Sequence, residues 1–223
     1  MLRRLAFALS VVATSAALCR PLSAQDRDAI CRNIQNRPLK VGQWATYALT
    51  GGRNDGTTMR LAVVGSEPHE GTTFYWYEVS LNDPAKGPNG KSIFQVLVPG
   101  LGFQASNVRA LIMKTGDEPA VRMPDAMVRM MGPRVGNNVA GEIARVCQGM
   151  EVVGEDRVTV PAGTFRALHL RDARDSSEAW IKLDLDFAMV KVVMRDGSTM
   201  ALTGNGGGAR SSITEQPKAL LGP

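Results

Sequence analysis

Histidine and cysteine are scarce in this chain: two histidines and three cysteines among 223 residues. No H-E-x-x-H and no paired C-x-x-C occurs, so no zinc site is expected from spacing. His69 falls in a predicted turn. His169 falls within a predicted strand, where it reads as the cross-strand partner of Glu155. A G-x-S-x-G elbow is also missing, which removes the serine hydrolases built on one. There is no internal repeat and no low-complexity linker. No apolar run reaches the ~20 residues that span a bilayer as a helix.

Two motifs look chemical but lack their context. Gly204-Asn205-Gly206-Gly207-Gly208-Ala209 formally fits a dinucleotide fingerprint. That fingerprint needs a parallel strand before it and a helix starting at the glycines, whereas this one follows a predicted hairpin and reads as a flexible loop. Asp184 and Asp186 would share a face of a strand, as paired carboxylates do in glycosidases, but nothing else converges on them. The residues give no catalytic set, no metal ligands and no cofactor site, so the expectation is a protein that is not an enzyme.

What is present begins with an export signal. Arg3 and Arg4 precede an apolar core at residues 5–18, and Leu22-Ser23-Ala24 offers a small residue at the cut. Residues 1–24 therefore read as a signal peptide cleaved near Ala24. The expected product is soluble in the periplasm or cell envelope, with no transmembrane anchor. Arg3, Arg4 and Arg20 leave with the signal, so the mature chain carries 23 basic against 21 acidic residues. The basic character of the precursor largely disappears, and with it the argument for a nucleic-acid partner. Cys31 and Cys147 remain. In an oxidising compartment such a pair is expected to bridge. Their separation of 116 residues corresponds to an upper bound of about 5 kcal/mol in the chain-entropy model.

The mature chain is long enough for one core-forming domain, placed at residues 25–208, with a loosely ordered tail at 209–223. Its organising stretch is 152–170. Val158 and Val160 are β-branched, and Phe165, Leu168 and Leu170 resume the apolar pattern after a break. Pro161 presets φ for the second position of a turn, and Gly163 accepts positive φ. The order predicts a three-residue loop with a glycine bulge, Val160 facing Thr164. Val158, Val160, Leu168 and Leu170 would then share one face, and Phe165, Ala167 and His169 the other.

Further strands are expected at 43–49, 59–64, 72–81, 108–114, 178–183, 189–195 and 198–203. Residues 93–98 are ambiguous between strand and helix. Asp196-Gly197 signals a two-residue hairpin pairing Val193 with Met200. A short helix is expected at 26–36, with Ile30 and Ile34 on one face. In 72–81, Phe74 and Trp76 point one way while Tyr75, Tyr77 and Val79 point the other. Both sides are apolar, so the second face is covered or lines a cavity. Pro124 and Asp125 suit a helix start, and Met123, Met127, Met130 and Met131 then follow at helical spacing. Such methionines either fill the core over the sheet or present an adaptable apolar surface.

The string Val160-Pro161-Ala162-Gly163-Thr164-Phe165, followed by a strand opening on Trp180, resembles a motif of exported bacterial proteins of unknown function. Those proteins are similar in fold to the LolA/LolB-type lipoprotein carriers. The specific resemblance covers residues 152–191. It implies a mainly β fold: a single antiparallel sheet curved into an unclosed half-barrel, with one or two short helices over the concave face. It also implies a hydrophobic ligand, such as a lipid, an acyl chain or a lipidated segment. Phe74, Trp76, Met127, Met130 and Met131 are the expected lining. The alternative is an envelope adaptor or scaffold that docks a protein partner and has no ligand cavity.

Overall fold

A computed structural model describes residues 24–101, 107–130 and 149–220. Helix α1 (Ala24–Gln35) precedes twelve strands: β1 (Trp44–Thr50), β2 (Thr58–His69), β3 (Thr72–Asn82), β4 (Lys91–Val98), β5 (Ala110–Thr115), β6 (Val121–Arg122), β7 (Met150–Val160), β8 (Gly163–Asp172), β9 (Glu178–Ile181), β10 (Met189–Val193), β11 (Thr199–Gly206) and β12 (Lys218–Ala219). All twelve form one sheet in the order β12-β6-β5-β4-β3-β2-β1-β11-β10-β9-β8-β7. Two meanders, β1–β6 and β7–β11, are thus joined by pairing β1 with β11. The sheet ends on different strands, so it is an unclosed half-barrel with few short helices. One pair departs from the antiparallel expectation: β12 runs parallel to β6.

The curvature has local causes. Register shifts interrupt the ladders at Thr46/Tyr47, Val63/Gly65, Val152/Gly154 and Met189/Lys191. An extra residue on one strand bends it and raises its twist. The β2–β3 connection is tight, because Glu70 and Gly71 both take positive φ, which matches the twist of the flanking strands. β7 is the exposed edge. Its bulge and its charged residues Glu151, Glu155, Asp156 and Arg157 discourage edge-to-edge pairing.

Residues opposite one another in antiparallel strands share a face, and the registers define an inner face without a break. Tyr47 and Leu49 of β1 lie opposite Leu202 and Met200 of β11, and Tyr47 lies opposite Met59 of β2. Tyr77 lies opposite Val96, and Val96 opposite Leu111. On the other side of the join, Met200 faces Val192, Val192 faces Ala179, Ala179 faces Leu170 and Leu170 faces Val152. The main core cluster follows this face from β5 to β11, and a second one forms on it around Met150, Leu170, Ala179 and Ile181; at β7–β9 the main cluster instead takes Val158, Val160, Phe165, Ala167 and Trp180 from the opposite face. Ile30 and Ile34 of α1, four apart on one side of the helix, pack on the second cluster.

Both predicted hairpin registers are one residue out. In β7–β8, Val160 pairs with Gly163 across a two-residue loop, Pro161-Ala162. Val158 lies opposite Phe165, and Gly154, not Glu155, lies opposite His169. Val158, Val160, Phe165 and Ala167 therefore share a face, whereas Leu168 and Leu170 turn to the inner one. A one-residue slip moves a whole strand's side chains across the sheet. The β10–β11 connection shows the same error. Val192, not Val193, pairs with Met200, because the loop has five residues, with Asp196 accepting bonds from Ser198 N at 3.0 Å and Ser198 Oγ at 2.5 Å. The ambiguous 93–98 segment is the centre of β4.

The tail also differs from expectation. Residues 209–220 cross the opposite, outer face of β2–β5 and end as β12. The Ala209 N–H donates to Gly42 O at 2.7 Å, and Lys218 N–H to Ala120 O at 2.8 Å. The sequence hid this because the strap is polar, and its partners are single residues on four different strands and loops.

Candidate functional site

The inner face is the candidate site, and β3 explains how it is made. Its alternation sends Tyr75, Tyr77 and Val79 inward, where they join Val96, Val98, Leu111 and Met113. Burial pushes the Tyr77 and Tyr47 hydroxyls above their ordinary range, and for Tyr47 the neighbouring Tyr77 adds to the effect. The Tyr47 hydroxyl donates to Met189 O at 3.3 Å, so two buried phenols lie near each other in the middle of this apolar floor.

Among the described residues, the cover over the floor is made of short pieces. Leu39, Val108 and Val128 are buried against it, with Leu101, Met123, Leu185 and Phe187 partly buried beside them. Phe187 meets Tyr77 with ring centroids 6.1 Å apart. The helical turn expected around the methionines is present at residues 125–130. Its buried residue is Val128; Met127 is half-buried and Met130 is 68% exposed. Met131 lies outside the described residues.

Phe74 and Trp76 are on the outer face. Phe74 packs with Leu97 and Ala110, takes the edge of His69 at 5.5 Å, and has the Arg109 guanidinium 5.7 Å from its ring centroid. Trp76 donates from Nε1 to Glu67 Oε1 at 2.7 Å and has Arg122 5.7 Å from its ring. The four described members of the expected lining therefore divide. Phe74 and Trp76 lie on one side of the sheet, and Met127 and Met130 belong to a turn anchored on the other. The signal that separates the faces was in the sequence. Phe74 and Trp76 alternate onward into Glu78 and Ser80, whereas Tyr75 and Tyr77 continue into Val79 and Leu81.

Glu78 is the residue that sequence reasoning missed. Its side chain is 0% exposed, and every carboxylate lone pair is used. Oε1 accepts from Arg60 Nη1 at 2.8 Å and Ser212 Oγ at 2.7 Å; Oε2 accepts from Gln95 Nε2 at 2.8 Å and Ser212 N at 2.9 Å. A buried charge is tolerable only with such complete pairing. Two of the four donors come from the C-terminal strap.

The remaining sequence candidates resolve as structure. His169 stacks on Trp180 at 4.5 Å, with Asp156 Oδ2 2.8 Å from Nδ1 and Glu178 Oε1 3.7 Å from Nε2. The carboxylates lie at opposite ring nitrogens, which is no arrangement for chelating one ion. His69 ends β2 beside the exposed turn. Asp184 pairs with Lys182 at 2.9 Å, and that bond, aided by Arg37, holds its carboxyl below the usual range. It shares an open polar cleft of about 600 Å³ with Arg32, Arg37, Lys40 and Asp186. Gly204 and Gly206 belong to β11, where the Trp44 ring lies against both. Among the described residues, no group of three or more potential ligands is placed to hold a metal, and no helix is long and apolar enough to cross a membrane. Cys31 is half-buried on α1, and Cys147 lies outside the described residues.

No protein-family model matches the chain, and no curated protein matches it. Two solved structures share some of its shape. One is titled a "putative exported protein with YmcC-like fold" from Bacteroides fragilis: 14% identity, TM-score 0.35, covering 76% of this chain and 97% of that one. The other is a "putative lipoprotein" from Parabacteroides distasonis: 11% identity, TM-score 0.34, with the same coverage. Likeness at this level carries no conclusion about what the chain does.

Proposed function

We propose that this chain is a non-catalytic protein of the cell envelope that binds a hydrophobic ligand on its inner face. The observation that carries the reading is the mismatch between floor and cover. The floor is an apolar surface that runs from β5 through β1 into β11 and β10, and among the described residues its cover is a set of short segments rather than a second sheet or a long helix. Displacing Val128 and Phe187 opens a concave apolar surface of the kind that takes an acyl chain or a lipidated segment. Met113 and Met123 at its margin adapt to irregular shapes. The export signal read at residues 1–24 supports the location, and a Cys31–Cys147 bridge fits it.

A second reading rests on the same cover. Val128 and Met123 already fill part of the floor, and Met130 stands exposed beside them. In an envelope adaptor the closed surface docks a protein partner and no ligand enters.

Native mass spectrometry and lipid extraction on residues 25–223, purified from a bacterial periplasm, separate the two. The expected result is a stoichiometric adduct of acyl-chain or phospholipid mass. Val79→Trp, which fills the floor, removes it, whereas Trp76→Ala, on the outer face, leaves it. An apo mass in the wild type sinks the ligand reading in favour of the adaptor. The same spectrum reads the bridge as a two-hydrogen deficit that vanishes on reduction.

A further inference from the structure

The outer face of β3–β6 has the form of a peptide-binding groove already holding an occupant, the chain's own residues 211–219. The recognition is specific at each position. Ser212 supplies its amide and hydroxyl to the buried Glu78 carboxylate. Ser211 Oγ accepts from Gln95 Nε2 at 2.7 Å. Ile213 fills a pocket made by Ile93, Ile112, Ala120 and Trp76. Glu215 Oε1 meets Lys114 Nζ at 2.5 Å and the Ala120 amide at 3.2 Å. Lys218 and Ala219 then extend the sheet beside β6. Hydrogen bonds along an edge with side-chain pockets at intervals are how proteins bind extended peptides in trans.

Only Gly207 and Gly208 stand between the end of β11 at Gly206 and the start of the strap, so the crossing from one to the other passes through the least restrictive kind of backbone. The root is fixed, with Trp44 Nε1 donating to Gly207 O at 3.1 Å and the Ala209 N–H to Gly42 O at 2.7 Å. Beyond Ala209 no contact requires that strap and groove belong to the same molecule. We propose that the groove and the strap are a separable receptor–ligand pair through which two copies of this chain exchange C-terminal straps. Each groove in the pair is completed by the partner copy's serines, isoleucine and glutamate, a reciprocal exchange of the kind known as domain swapping. The tether holds a copy's own strap at an effective concentration on the order of millimolar, so the closed monomer prevails in dilute solution. Exchange takes over when the internal match is made worse than the external one.

The Lys114–Glu215 pair makes that test on the full mature chain, because both side chains are partly exposed and reversing their charges leaves the core intact. Lys114→Glu and Glu215→Lys each place like charges across the groove within one molecule. Mixed together, each groove finds a strap of opposite charge only on the other protein. The expected result by native mass spectrometry is a heterodimer at least tenfold more abundant in the mixture than any dimer of either variant alone, falling with added salt. The double variant Lys114→Glu/Glu215→Lys returns to monomer. Hydrogen exchange at 211–219 follows the strap in parallel: fast in each single variant, slow again in the mixture. A mixture that stays monomeric overturns the proposal, whether its straps remain docked or come free without finding the second groove. Slow exchange recovered without a heterodimer mass overturns it as well.

Discussion

The two faces of strand β3 are held against their covers by different forces. Inward, Tyr75, Tyr77 and Val79 meet a surface that is apolar in every direction, and the cover is held by area removed from water. Outward, Phe74 and Trp76 give way to Glu78, and the covering strap is held by a fully paired carboxylate, one ion pair and a single aliphatic side chain. The difference teaches where each face is weak. The inner face tolerates swaps of similar volume but not cavities. The outer face depends on individual donors, so one substitution can release a whole segment.

The largest effect is expected inside. Leu202 is buried on β11 opposite Tyr47, and Leu202→Ala leaves a cavity costing about 2–5 kcal/mol. Urea unfolding followed by circular dichroism should show a lower midpoint and an unchanged slope. On the outer face, Glu78→Ala strips Gln95 and the Ser212 amide of their acceptor, a cost of about 1–3 kcal/mol. Its signature differs in kind. Amides of 211–219 should exchange well before the sheet unfolds, as a locally opening unit. If Glu78→Ala instead lowers the global midpoint with no early opening of the strap, the two faces form one cooperative unit and the contrast between them is wrong.

The β7–β8 hairpin sharpens the comparison, because its apolar residues go to both faces. Gly163 has φ +133°, and an added β carbon there would touch only the Phe165 ring, at 3.9 Å. Gly163→Val therefore tests backbone strain with little steric clash, at about 1–2 kcal/mol. An unchanged thermal midpoint would show that the turn relaxes without cost.

What could be read from the sequence follows from the same physics. Strand positions were legible because β-branched and aromatic runs alternate with glycine and proline breaks, and α1 because Ile30 and Ile34 stand four apart. Face assignment in the hairpins was not. It depends on register, register depends on loop length, and Pro161-Ala162-Gly163 fits a two-residue or a three-residue loop. In β3, two apolar alternations run side by side, and only the charge at Glu78 tells the outward one. The strap was illegible for another reason. Ser211, Ser212 and Glu215 look like solvated tail residues until Gln95, Glu78 and Lys114 are brought to them by strands far away in sequence.

The smallest effect separates the faces by pH. The Lys114 ammonium, hydrogen-bonded to Glu215, holds its carboxyl down at about 2, against an ordinary value of 4.5. A carboxylate depressed in the folded state stabilises it above the unfolded value and loses that contribution as pH falls through the folded one. The strap should therefore loosen between about pH 4.5 and 2. Trp76 emission, which senses Ile213 packed on the ring, should follow that change in the wild type and lose its pH dependence in Glu215→Gln. The inner face has the opposite sign. Tyr47 and Tyr77 titrate above the ordinary phenol value of 10 because they are buried. Their contribution is complete below that value and declines as pH rises beyond it. Acid should then open the outer face with the inner core intact, and alkali should destabilise the core. A single acid transition at which strap and sheet are lost together would mean that the strap is part of the core rather than a cover laid upon it.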